Sequence, residues 1–141
     1  MGSYTRSLYH AFFSTKNRKN TLPQDYLNSI YNYIWGIIKN KKCKLFRIGG
    51  TSDHIHILFE LNPKVALAEL IKDIKVSSSI FIKKEYSLFN GWQSGYSSLT
   101  YSYDKKDILI KYIKNQKEHH RTNSFEDELK TLIEEFESKN N

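Results

Sequence analysis

The chain has 141 residues, enough for one hydrophobic core, and no Pro-, Gly- or Ser-rich stretch divides it, so residues 1–141 are expected to form a single domain. The formal charge is +7, and ten tyrosines, eight phenylalanines and two tryptophans accompany it. No run approaches the length of a membrane span and the N-terminus has no apolar leader. The one cysteine, Cys43, can form neither an internal disulfide nor a structural zinc site. A membrane protein and a disulfide scaffold are thereby excluded, and a reducing, cytoplasmic setting is expected.

The charge is uneven. Residues 124–141 hold six acids against Lys130 and Lys139, a net of −4, and the difference from +7 leaves +11 on residues 1–123. A strongly basic, aromatic-rich body suits a polyanion whose bases stack on rings.

Residues 4–15 are aromatic-rich and read as a first strand, followed by the basic loop Lys16-Asn17-Arg18-Lys19-Asn20. His10 has no partner at a useful spacing and is expected to be a packed or edge histidine. Pro23 sits where a helix start tolerates it, and Leu27, Tyr31, Ile34 and Ile38 recur at helical spacing to about Asn40. Trp35, next to that stripe, is expected in the core. Residues 44–48 form a second strand, with Cys43 a small hydrophobe at its start, and Gly49-Gly50-Thr51-Ser52 supplies turn chemistry for a hairpin. After Asn62-Pro63 a long helix carries Leu67, Leu70, Ile71, Ile74 and Phe81 on one side. Its middle, Lys75-Val76-Ser77-Ser78-Ser79, suits close approach of a phosphate backbone and equally a helix face of small residues packed tightly.

Residues 91–103 have strand composition with glycine punctuation, and Trp92 is expected to close one end of the core. A helix over about 105–119 buries Leu109 and Ile113 and sets Tyr112 and Gln116, four apart, on a neighbouring face; His119 and His120 follow as residues suited to a helix C-terminus. An acidic helix over about 124–138, capped by Ser124, ends the chain.

The second strand of the hairpin reads Asp53-His54-Ile55-His56-Ile57-Leu58-Phe59. Alternation places His54 and His56 on one face and Ile55, Ile57 and Phe59 on the other, so the apolar set is buried under helices and two imidazoles stand together on a polar face. Two such imidazoles suit a divalent metal, whereas taken without other chemistry in the chain they read better as two surface histidines on the exposed face of an antiparallel sheet. Asp53 stands either as an acceptor for an imidazole or as the end of the turn, and the turn is the expectation. The element order β-α-β-β-α-β predicts a ferredoxin-like (split β-α-β) antiparallel sheet of the α+β class, helices on one face, with an additional tyrosine-bearing helix and the acidic helix behind it.

Asp53-His54-Ile55-His56, Trp92-Gln93-Ser94-Gly95-Tyr96, Tyr112-Ile113-Lys114-Asn115-Gln116 and the strand end Ser14-Thr15-Lys16-Asn17-Arg18 together resemble the single-tyrosine HUH transposases (TnpA type) of small bacterial insertion sequences. The resemblance spans about Tyr9 to His120. It implies that His54, His56 and Gln116 bind a divalent metal, Mg²⁺ or Mn²⁺, and that Tyr112 attacks a single-stranded DNA phosphodiester to give a 5′-phosphotyrosine link and a free 3′-OH. It further implies a homodimer with active sites shared between subunits, hairpin (imperfect palindrome) DNA ends as partners, and Arg18, Lys75 and Ser78 as DNA contacts. The chemistry agrees: a phenol with an unperturbed pKa of about 10 needs activation at neutral pH, and a phosphodiester needs its developing charge offset.

Two rivals belong to the same fold, a domesticated or replication-initiating relative and a non-catalytic nucleic-acid-binding module. The glycine-flanked aromatic signature of RNA-recognition motifs is absent, and a two-histidine phosphoesterase would need a second His-x-His, of which the chain has one.

Overall fold

The structure, a computed structural model, describes residues 6, 8–116 and 134. The expected acidic helix, Glu134 excepted, lies outside the described residues, as do His119 and His120. The elements run β1 (Leu8–Ser14), α1 (Leu27–Asn40), β2 (Lys44–Gly50), β3 (His54–Glu60), α2 (Leu67–Glu85), β4 (Ser97–Tyr101) and α3 (Lys106–Lys114). The strands form one antiparallel sheet in the order β2-β3-β1-β4, the ferredoxin-like arrangement that the element order predicts.

Alternation along β3 and β1 decides what each face buries. Ile55, Ile57 and Phe59, with Ala11 and Phe13, meet α1 through Ile30, Ile34 and Ile38 and α2 through Leu70, Ile71 and Ile74. Each such side chain removed from water contributes roughly 1.5–3 kcal/mol, which makes this layer the main source of stability. Trp35 corrects its expectation: one residue past Ile34 it turns about 100° around the helix, and it is 50% exposed. Its ring instead lies 5.7 Å from the Lys39 ammonium. Cys43 is buried against the core, as expected.

The opposite face is covered as well. Leu8 and Leu58 pack against Leu109 and Ile113 of α3, with Phe46, Tyr101 and Tyr112 around them. His54 and His56 are therefore fully buried, where an open polar face was expected. β3 is buried on both sides, with Ile55, Ile57 and Phe59 on one face and His54, His56 and Leu58 on the other.

Gly49 serves this second layer. Gly49 and Gly50 belong to β2, and the hairpin turns instead at Thr51-Ser52-Asp53. A Cβ on Gly49 would lie 2.5 Å from the Ile113 carbonyl oxygen, closer than atoms tolerate. The missing side chain lets α3 rest on the strand. No helix among the described residues is long and apolar enough to cross a membrane.

Candidate active site

β1 and β3 pair with Phe12 opposite His56 and Ser14 opposite His54. Even-numbered residues of both strands thus share the face that α3 covers, and the sheet brings His10, Phe12, His54 and His56 together. The His54 and His56 ring centroids lie 5.1 Å apart.

His54 is held from behind. Its Nδ1 lies 2.7 Å from Asp53 Oδ1 and 3.0 Å from Thr51 Oγ1, and the Thr51 hydroxyl donates to the same carboxylate oxygen at 2.9 Å. A carboxylate only accepts, so Nδ1 of the neutral imidazole carries the proton and Nε2 carries the lone pair. Asp53 therefore both ends the turn and orients the imidazole, which corrects the expectation of a turn residue alone.

Nε2 of His54 faces Gln116 Oε1 at 3.2 Å. The Gln116 amide nitrogen approaches the Tyr112 carbonyl, one turn back on α3, at 3.5 Å. At this distance the pair fits a cation held by both atoms, a proton on Nε2, or the Gln116 amide turned so that its nitrogen donates to Nε2. An imidazole nitrogen and an amide oxygen are both donors that a divalent cation accepts, so the pair fits such an ion by its chemistry. Imidazole and amide donors suit Mn²⁺ better than Mg²⁺, which favours oxygen and water.

His56 has a different support. Its Nδ1 lies 2.7 Å from Nε2 of His10, both rings fully buried, and Phe12 stacks on it at 5.3 Å. The His10 partner thus lies on the neighbouring strand, 46 residues away. The Tyr112 ring stands edge-on to His56 at 5.9 Å and to His10 at 6.2 Å. One chain therefore assembles His54, His56, Tyr112 and Gln116 by itself, with Tyr112 half-buried and Gln116 fully inside.

Lys75 and Ser78 organise the segment beside the site. Lys75 Nζ donates to the Gln93 and Gly95 carbonyls at 2.6 and 2.7 Å, and burial holds its ammonium below the usual lysine range. Ser78 is fully buried and its hydroxyl accepts from Trp92 Nε1 at 3.0 Å. Trp92 packs on Phe13 and Phe89, closing that end of the core. Arg18 sits exposed in the loop after β1, where Asn17 and Arg18 both take left-handed backbone angles, φ 58° and 53°. The Asn17 backbone N–H donates to Gln93 Oε1 at 2.8 Å, which joins this basic loop to the 91–96 segment. On the other side of the site, a cleft of about 420 Å³ opens beside Gln116 between α1, β2 and the end of α3, with Tyr31, Arg47 and Lys114 in its walls.

Residues 3–116 match the family described as "Transposase IS200 like". No curated protein matches the chain. Among solved structures it resembles a protein of Deinococcus radiodurans R1 assigned as a transposase, with a TM-score of 0.65 at 21% identity over 82% of this chain and 95% of that one. It also resembles a REP-associated tyrosine transposase bound to a REP hairpin, with a TM-score of 0.61 at 15% identity over 82% of this chain and 72% of that one. Identities this low carry the fold, and the family match over most of the chain carries the kinship: the protein belongs to the IS200-like transposases, enzymes that cut and rejoin DNA.

Proposed function

We propose that the protein cleaves and rejoins single-stranded DNA at insertion-sequence ends through a 5′-phosphotyrosine intermediate on Tyr112. The observation that carries this reading is the convergence of Tyr112, Gln116, His54 and His56 within one chain. The Tyr112 phenol oxygen attacks the scissile phosphorus; the tyrosine O–P bond forms, the bond to the 3′ oxygen breaks, the phenolic proton is lost and the departing 3′ oxygen takes one up. Attack by another 3′-OH reverses the step and joins strands without an outside energy source. His54, His56 and Gln116 would hold Mg²⁺ or Mn²⁺, and the ion when bound would supply polarisation of the phosphate and offset charge on the leaving oxygen. Asp53 and Thr51 keep the His54 imidazole in the tautomer that binding requires.

The DNA partner is a single strand with a hairpin, in line with the REP hairpin bound by the structural relative. Arg18 and Lys75 contact its backbone, while the buried Ser78 acts through Trp92 and the 91–96 segment. The cleft beside Gln116 suits a nucleotide flanking the scissile phosphate. Two copies pair as a homodimer. In the arrangement described, α3 serves the histidines of its own chain, and sharing sites between subunits would require α3 to exchange partners.

Purified protein is incubated with a single-stranded oligonucleotide carrying the element's imperfect palindrome, with Mn²⁺ or with a chelator, and run on a denaturing gel. A protein–DNA adduct that needs the metal is expected. Binding of the oligonucleotide with no adduct under any metal would leave a non-catalytic binding module.

A further inference from the structure

We propose that His10 is a positioning residue for His56: its Nε2 receives the Nδ1 proton of His56 and so leaves the His56 Nε2 lone pair for the metal. The proposal rests on the reading of His56 as a metal ligand.

The two supports behind the histidine pair differ in kind. His54 has the Asp53 carboxylate, which can only accept, so its tautomer is fixed by charge. His56 has an imidazole at 2.7 Å, which can donate or accept, so the position of a single proton decides whether His56 binds metal. With the proton on His56 Nδ1, His10 accepts at Nε2 and keeps its own proton on Nδ1. With the proton on His10 Nε2, a neutral His56 is protonated at Nε2 and blocked.

Geometry holds the His10 ring within hydrogen-bond reach of His56. It is fully buried, and its ring is fenced by Phe12 at 5.0 Å, Tyr112 at 6.2 Å and Tyr101 at 6.5 Å. Its position on β1, one step along the face from Phe12, aims Nε2 across the strand pair at His56. An imidazole in this role also adds no negative charge beside a substrate that is itself a polyanion, which a second carboxylate would do.

Mn²⁺ binding to the DNA-free protein, read from the electron paramagnetic resonance of unbound ion, is compared among wild type, His10→Gln and His10→Leu. Glutamine places an acceptor oxygen near the position of the imidazole Nε2, and leucine fills the space without one. The leucine variant is expected to lose about 10–100-fold in Mn²⁺ affinity, and the glutamine variant no more than about threefold. Wild-type affinity in a folded His10→Leu protein, or equal losses in both variants, would overturn the proposal. Nitrogen-15 spectra of histidine in metal-free wild type give a second readout. A proton on Nδ1 of His56 is expected, and one on its Nε2 alone would overturn the proposal even if the leucine variant failed to fold. Should wild type take up no Mn²⁺, the metal reading of His54, His56 and Gln116 falls separately, and the spectra still decide the place of the His56 proton.

Discussion

Gln116 and His54 are 62 residues apart in sequence, yet Oε1 of one faces Nε2 of the other at 3.2 Å. The contact joins the end of α3 to the start of β3, so it forms only when α3 lies down on the sheet. Leu109 and Ile113 drive that docking by burial, and Gly49 permits it. The chemistry proposed for Tyr112 and Gln116 therefore depends on packing that lies one helical turn away.

Gly49→Ala tests this dependence. The new methyl meets the Ile113 carbonyl oxygen at 2.5 Å, and the helix must lift to relieve the clash. Overpacking of this kind costs about 1–3 kcal/mol, and misplacement by about 1 Å costs catalysis up to about 100-fold. Adduct formation is expected to fall by at least about tenfold while hairpin binding changes little. A wild-type cleavage rate would show that α3 has another way to dock.

Burial pushes the Tyr31 phenol up to about 12, with the Arg47 guanidinium pulling the other way. A phenol whose folded value is raised gives stability that is complete below its unfolded value of 10.0 and is lost as pH rises to about 12, because the unfolded chain releases the proton first. The loss is on the order of 2 kcal/mol. Denaturant unfolding of wild type and Tyr31→Phe between these pH values is expected to show a steeper decline in wild type. Parallel curves would mean that Tyr31 ionises equally well in the folded protein.

Arg18 stands in the exposed basic loop that the Asn17–Gln93 hydrogen bond docks beside the site. Arg18→Ala is expected to weaken hairpin DNA binding across sequences and to lower the slope of log K against log salt by about 0.7–0.9, the share of one phosphate contact. An unchanged slope in a filter-binding or anisotropy titration would place Arg18 off the DNA.

The sequence carried much of this arrangement, in features that are local. The His54/His56 pair, the Tyr112/Gln116 spacing and the Leu109/Ile113 stripe follow from strand and helix periods alone, and the structure places all of these residues in one layer. What escaped the sequence depends on pairing between distant segments. His10 looks solitary along the chain and meets His56 only through the β1–β3 register. Even-numbered alternation from Ser14 back to His10 was the available signal. Gly49 and Gly50 look like a turn because the dipeptide is a turn former, whereas Gly49 admits the close approach of a helix that arrives late in the chain and Gly50 the close pairing with the His54–Ile55 backbone. Trp35 shows the limit of a stripe read by eye, since one residue of offset on a helix separates buried Ile34 from a half-exposed ring.

The most direct measurement is the site of covalent attachment. Protein incubated with Mn²⁺ and hairpin-bearing single-stranded DNA is digested with nuclease and trypsin, and the peptides are weighed. A nucleotide phosphate on Tyr112, in the fragment released by cleavage after Lys111 and Lys114, is the expected result, with none in Tyr112→Phe. Attachment to another tyrosine such as Tyr101 or Tyr103, or strand cleavage with no attached peptide, would contradict Tyr112 as the nucleophile.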